Sequence, residues 1–301
     1  MILREQIEYA ATAGILKFSR ILPEEAVYTL IKIFALLLHA ASGRRRRLSL
    51  RNMEIAFPKK SLTERKYLVK QAFINLSESM AFNALIMSGR ITNERLMDCV
   101  EVDDWDKFEQ AAASEKGLLI FSAHLGNWEL MAQYIALRQR KPLNVIARQT
   151  NNRLLEDRIV RPLRERFGIN IFYKKNALMK IVKASKKGET TGLLIDQRLN
   201  LREGVAVEFF GKKTGTTATP ALLQIRFGIT TLPTFMVKSG NHKYRFIIGD
   251  PVQWNDNGKP MEEQVLELTC IHQKIVEDMI RQYPDQWFWV HNRWGLPKAD
   301  R

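Results

Sequence analysis

Between residues 117 and 196 the sequence changes its hydrophobic period again and again, and that switching limits the fold more than any other feature. Gly117-Leu-Leu-Ile-Phe-Ser-Ala123 is a short apolar run behind a glycine, the pattern of a strand buried on both faces. Residues 127–140 carry helical spacing, 143–147 read as a second strand, and 154–167 as a helix. A third strand at 169–173, a helix at 177–187 and a fourth strand at 191–196 follow. Strand alternating with helix implies an α/β fold with a mainly parallel sheet flanked by helices. Further strands are expected at 231–237 and 244–249, and an amphipathic helix at 261–282 is stopped by Pro284.

The stretch before this alternation is helical. Val27, Leu30, Ile31, Phe34, Leu37 and Leu38 recur at helical spacing, interrupted by Lys32 and His39. The uninterrupted apolar part is shorter than the ~20 residues that span a bilayer, so it reads as a helix lying in or against a membrane interface. Arg44-Arg45-Arg46-Arg47 and Arg51 follow at once, and such a cluster suits an anionic leaflet. An ordinary core helix followed by a solvated basic loop fits this segment equally well. Residues 52–97 are helical apart from a break at Phe57-Pro58, with a capping box at Ser61-Leu-Thr-Glu64. The expected layout is an N-terminal helical membrane-associating segment at 1–50 preceding one α/β domain at 51–301.

Charge narrows the partners. Lys and Arg outnumber Asp and Glu by 47 to 32, a net +15, which favours an anionic membrane, a phosphorylated substrate or nucleic acid. Aromatic-interleaved basic modules are absent, so no nucleic acid partner is expected. Cys99 and Cys270 form no C-x-x-C pair and read as reduced thiols, with a single disulfide the alternative. Residues 1–14 lack the pattern of a secretory signal.

The chemistry concentrates in Phe121-Ser-Ala-His124-Leu-Gly-Asn-Trp-Glu129, where the first strand of the alternation ends and a helix begins. In open parallel sheets, ligands bind at the carboxyl ends of strands. On one continuous helix His124 and Glu129 would point about 140° apart. They meet only if His124 lies in the turn and Glu129 in the first helical turn. Gly126 permits that turn, and Asn127 is a good N-cap. Glu129 is then expected to accept the proton on one ring nitrogen of His124 and make the other basic, the arrangement of a general base with its orienting partner. A capping histidine beside a dipole-favoured Glu is the structural alternative. Zinc motifs, a G-x-S-x-G elbow and a Walker A loop are absent, and no metal is expected. Ser122 is expected to face away from His124.

His124-Leu-Gly-Asn-Trp-Glu129 resembles the H-x4-[DE] motif of glycerolipid-type acyltransferases, in the form used by the lipid A late acyltransferases (lauroyl/myristoyl acyltransferases). Arg51-Asn-Met-Glu-Ile-Ala-Phe-Pro58 resembles their N-terminal signature. Asp196-Gln197 with Val207-Glu-Phe-Phe-Gly211, Thr216, Thr217 and Pro220 resembles the central one, and Pro284-Asp-Gln-Trp-Phe-Trp-Val-His-Asn-Arg-Trp294 the C-terminal one. The resemblance implies acyl transfer from acyl carrier protein or coenzyme A, as co-substrate without other cofactor, to a phosphorylated disaccharide lipid. It implies work at the cytoplasmic face of the bacterial inner membrane, with His124 deprotonating the acceptor hydroxyl and Glu129 holding His124. The matched positions Gly211, Thr216 and Arg293 are then expected at the substrate, with Asn127. Asn292 stands where the family often has a second basic residue, and the E-G-T-R-like motif of phospholipid-making relatives is missing. Other lipid acceptors, and a non-catalytic basic membrane- or nucleic-acid-binding protein on the same scaffold, are the alternatives.

Four further groups are candidates. Arg148 and Arg153 follow a strand end and suit a phosphate clamp, and Asn152 a sugar hydroxyl. Asp196 and Gln197 end the fourth strand and either bind the acceptor or support the His124 turn. Arg198 and Arg202 add positive charge in the same loop. Trp287, Phe288, Trp289 and Trp294 suit a membrane interface or an acyl groove, with at least two of them expected as a plug on the core.

Overall fold

The computed structural model describes residues 2–139, 141–147, 152–173 and 177–297. Helices α1 (Ile2–Ile21), α2 (Glu24–Ala41), α3 (Gly43–Ala56), α4 (Leu62–Met87) and α5 (Asn93–Asp98) come first. Next are β1 (Val100–Val102), α6 (Trp105–Ala112), β2 (Leu118–Ser122), α7 (Trp128–Gln139) and β3 (Leu143–Ala147). After α8 (Arg153–Leu155), a π turn at Glu156–Val160 leads into α9 (Arg161–Arg166), β4 (Ile169–Tyr173), α10 (Ala177–Ser185) and β5 (Thr190–Leu194). A hairpin of β6 (Val205–Phe209) and β7 (Lys212–Thr216) precedes α11 (Thr219–Phe227), β8 (Thr230–Gly240), β9 (Lys243–Ile248) and α12 (Met261–Gln282).

The larger sheet has seven strands in the order β1-β9-β8-β2-β5-β3-β4, and only β8 and β9 run antiparallel. The mainly parallel α/β sheet expected from the alternating pattern is therefore present. Every residue of β2 is buried, because this strand sits mid-sheet beneath helices on both faces. One core cluster joins α4, α6 and α7 to the sheet, and a second gathers α3, α12 and the tryptophans after residue 284.

Local chemistry explains the boundaries. Ser61 and Glu64 cap α4 reciprocally, as the sequence predicts. At the β6–β7 turn both Phe210 (φ 51°) and Gly211 (φ 73°) are left-handed, the geometry of a two-residue hairpin turn matched to strand twist. Helices α1, α5, α6 and α11 and this hairpin were not separated by hydrophobic period alone. Among the described residues no single helix is long and apolar enough to cross a membrane, although α2 and α3, bent by 86°, pass that test together. On α2, Val27 and Tyr28 are buried while Leu30, Ile33, Phe34 and Leu37 are exposed. Cys99 and Cys270 are both free thiols.

Candidate active site

Register brings the site together. Strands β2 and β5 are parallel neighbours with Ser122 opposite Leu194. His124 and Asp196 each lie two residues beyond that pair, so both side chains emerge at the same carboxyl edge. Their contact is direct: His124 Nδ1 lies 2.8 Å from Asp196 Oδ1, and the His124 backbone N–H donates to Asp196 Oδ2 at 3.0 Å. The Trp287 indole N–H donates to the same Oδ2 at 2.7 Å. A carboxylate can only accept, so Nδ1 carries the proton and Nε2 keeps its lone pair. Gln197 Nε2 approaches His124 Nε2 at 3.2 Å and donates to it.

This corrects the pairing expected from the motif. Glu129 does not hold the His124 ring; its carboxylate accepts from Arg164 at 3.2 Å. Glu129 still reaches His124 through its charge, which favours the imidazolium. Asp196 is the hydrogen-bonded partner, in contact with both the ring and the backbone of His124.

The electrostatics are those of a tight ion-pair site. Burial pushes the His124 pKa down, but attraction and hydrogen bonding from Asp196 outweigh it, and Glu129 adds to them, so the net shift is upward. Burial likewise resists ionisation of Asp196, yet His124 and the Trp287 indole hold its carboxyl below the usual carboxylate range. The His124 side chain keeps about 20% of its exposure while that of Asp196 keeps about 2%, so the imidazole reaches the surface and its partner does not.

The turn carrying His124 depends on Gly126. Its φ is +59°, and an added Cβ would lie 2.0 Å from the Met236 carbonyl oxygen, which accepts from the Asn127 N–H at 2.9 Å. Asn127 Oδ1 then accepts from Leu130 N–H and from Asn83, capping α7 as expected. The cap uses the Asn127 side-chain oxygen, and the residue is buried in the turn.

A strap at residues 284–297 closes the site from below. Phe288 N–H donates to the His124 carbonyl, and Asn52 of α3 donates to the Trp289 and His291 carbonyls at 2.7 Å each. Trp287, Trp289 and Trp294 are buried, the core plug expected for at least two of them. Trp128 meets the His124 ring edge-on at 5.1 Å and Phe288 flanks it at 6.2 Å, giving the base an apolar rim.

The remaining predicted residues scatter. Gln197 is in the site, and Arg198 is exposed beside it, its N–H donating to His291 Nε2 at 3.0 Å. Thr216 and Arg293 are fully buried and brace Asp196 instead of meeting a substrate. Thr216 Oγ1 and Gln273 Nε2 both donate to the Ile195 carbonyl, while Arg293 donates to Gln273 Oε1 at 3.0 Å and to the Gly215 carbonyl at 2.7 Å. Burial pushes the Arg293 pKa down to about 10, against the attraction of Asp196. Gly211 is at the exposed hairpin tip, where its φ is the requirement. Asn152 is buried, caps α8 and donates to the Glu5 carbonyl and to Glu8 on α1, so it joins α1 to the domain and is not offered to a sugar. Arg153 is exposed. Arg148 lies outside the described residues. Sequence reasoning missed Arg164, which carries no local motif, and noted Trp287 in the C-terminal signature without its bond to Asp196.

With this geometry in view, comparison with known proteins is specific. The model for the bacterial lipid A biosynthesis acyltransferase family matches residues 2–295. The chain is 26% identical over 252 residues to a lipid A biosynthesis palmitoleoyltransferase of Escherichia coli K12, covering 83% of this chain and 78% of that protein. It is 25% identical over 252 residues to a lipid A biosynthesis lauroyltransferase of the same organism, covering 83% and 79%.

Proposed function

Because the chain belongs to the bacterial lipid A biosynthesis acyltransferase family, we propose that it moves a fatty acyl chain from an acyl thioester onto a hydroxyl of a phosphorylated glycolipid, a lipid A precursor. It is an acyltransferase by membership; the donor, acceptor and residue roles are the reading argued here. The observation that carries the mechanism is the Asp196–His124 contact, which leaves Nε2 as a basic lone pair at a partly open edge.

The acceptor hydroxyl displaces the Gln197 amide from His124 Nε2. Nε2 removes its proton as the oxygen attacks the thioester carbonyl. Asp196 stabilises the imidazolium through the hydrogen bond, and Glu129 through its charge. The C–O bond forms, the C–S bond breaks, and the proton returns to the departing thiolate. The N-terminal end of α7 adds positive dipole beside the developing oxyanion. No acyl-enzyme and no metal enter these steps. The donor is carried by acyl carrier protein or coenzyme A, whose acidic character suits the net charge of +15.

The exposed apolar side of α2 with Arg44 to Arg47 supports the reading that the protein works on an anionic surface, the cytoplasmic face of the bacterial inner membrane. The test is mass spectrometry of a phosphorylated disaccharide lipid incubated with the full chain and mixed acyl donors. A gain of one acyl mass with the native protein and none with His124→Ala supports the proposal. Equal product with both proteins overturns it.

A further inference from the structure

A cavity of about 570 Å3 lies between α2, α3, α4 and the strap, outside the hydrogen-bonded centre. Its walls are apolar: Ala35 and Leu38 of α2, Leu48 of α3, and Phe73, Leu76 and Met80 of α4. At one end it meets Phe288 and His291. Phe288 packs beside the His124 ring, and His291 Nε2 accepts from the residue after Gln197. That end therefore shares Phe288 with the surroundings of the His124 ring.

The other end has different chemistry. Arg44 and Arg45 line the cavity from the first turn of α3 and are exposed, and among the described residues no carboxylate pairs with either. Helix α3 measures the separation. Asn52 holds the strap at the His291 level, and from Arg45 to Asn52 a helix rises roughly 10 Å. A ligand lying along α3 would thus keep an anionic group on the arginines and extend hydrocarbon toward His124. The arginine end also adjoins the bend after α2, where Leu37 and Leu38 are exposed. An apolar mouth of this kind suits a ligand that leaves a lipid layer.

We propose that this cavity seats a hydrocarbon chain of the anionic lipid acceptor, whose phosphate rests on Arg44 and Arg45 while its hydroxyl reaches His124 Nε2. The inference rests on the acyl-transfer reading above and assigns its acceptor subsite. Two exposed arginines that pair with no carboxylate among the described residues bind a phosphate by charge-assisted hydrogen bonds, and the apolar walls bury the chain. A soluble donor has no need of a lateral, membrane-facing mouth.

The test uses the full chain and two readouts. In the first, without donor, the protein is cosedimented with phosphatidylcholine vesicles carrying a phosphorylated disaccharide lipid or its dephosphorylated counterpart, with plain vesicles as baseline. R44Q/R45Q is expected to weaken binding to vesicles carrying the phosphorylated disaccharide lipid about tenfold and to leave the dephosphorylated arm unchanged. Ala35→Trp, which fills the cavity and keeps both arginines, is expected to weaken both arms. In the second readout, R44Q/R45Q is expected to raise the KM for acceptor about tenfold, with donor KM unchanged and kcat within about twofold. Unchanged binding in both variants overturns the proposal, and so does a rise confined to donor KM, which would give the cavity to the thioester. If the binding shifts appear but native protein turns over no donor, the acyl-transfer reading fails while the lipid site stands. Far-UV circular dichroism of each variant confirms the fold.

Discussion

Asp196→Asn is the substitution that separates the two candidate partners of His124. Asp196 accepts three hydrogen bonds, from His124 Nδ1, the His124 backbone and the Trp287 indole. An asparagine oxygen can keep the last two, which leaves its NH2 facing Nδ1. That amide donates, so Nδ1 must become the acceptor and the proton moves to Nε2, where it blocks the base. The loss is that of a general base, roughly 10²- to 10⁴-fold in kcat, or about 3–5 kcal/mol of barrier. The KM values should change little, because neither substrate touches Asp196. The pH profile supplies a second reading. Activity needs neutral imidazole, and Asp196 holds the His124 pKa above its ordinary 6.5 against burial. The native rate therefore climbs with pH on a limb above 6.5. With the attraction gone and burial remaining, any residual activity in the variant should climb on a limb below 6.5. Steady-state kinetics from pH 5 to 9 measure both effects. Retention of more than about a tenth of native kcat, with activity abolished in Glu129→Gln, would refute the reasoning and return Glu129 to the partner's place.

Two further changes test the frame. Gly126→Ala puts a methyl 2.0 Å from the Met236 oxygen at a left-handed φ, so it should cost on the order of 3–5 kcal/mol in urea unfolding and most of the activity; native stability would show that the turn adapts. His272 is kept neutral by burial, with its pKa pushed down to about 3. The unfolded chain takes up that proton below about 6.5 and the native state does not, so stability falls as pH drops from about 6.5 toward 3, and His272→Gln should flatten this decline in urea midpoints by a few kcal/mol; an identical acid limb in both proteins would exclude His272 as its source.

Much of the site was legible because it is local. His124, Gly126 and Asn127 form one turn whose residue types fit only a strand-to-helix corner, and the Gly126 contact with Met236 shows how little else fits. The partner of His124 was not legible by spacing, because Asp196 lies 72 positions away and is brought in by strand register. A signal existed: two apolar strands each ended in an ionisable residue, and in a parallel sheet such ends share an edge. Glu129 drew attention because it stood nearby in sequence, yet α7 turns it toward Arg164. Arg293 and Thr216 look like ligand contacts in a motif, whereas burial makes them braces for the Ile195 carbonyl. The β6–β7 hairpin escaped notice because Phe210 adopts a conformation that its side chain gives no reason to expect.

The strap has a consequence for the order in which the molecule becomes competent. Residues 284–297 supply the indole that holds Asp196, an amide that holds the His124 turn, and the carbonyls that tie down Asn52, across a separation of 237 residues. A nascent chain that has already made His124 and Asp196 thus lacks the parts that set their geometry, and closing so long a loop is slow. Synthesis itself acts as a timer: the His124–Asp196 geometry is set only once residues 284–297 have been made, long after α2, α3 and α4 have emerged from the ribosome.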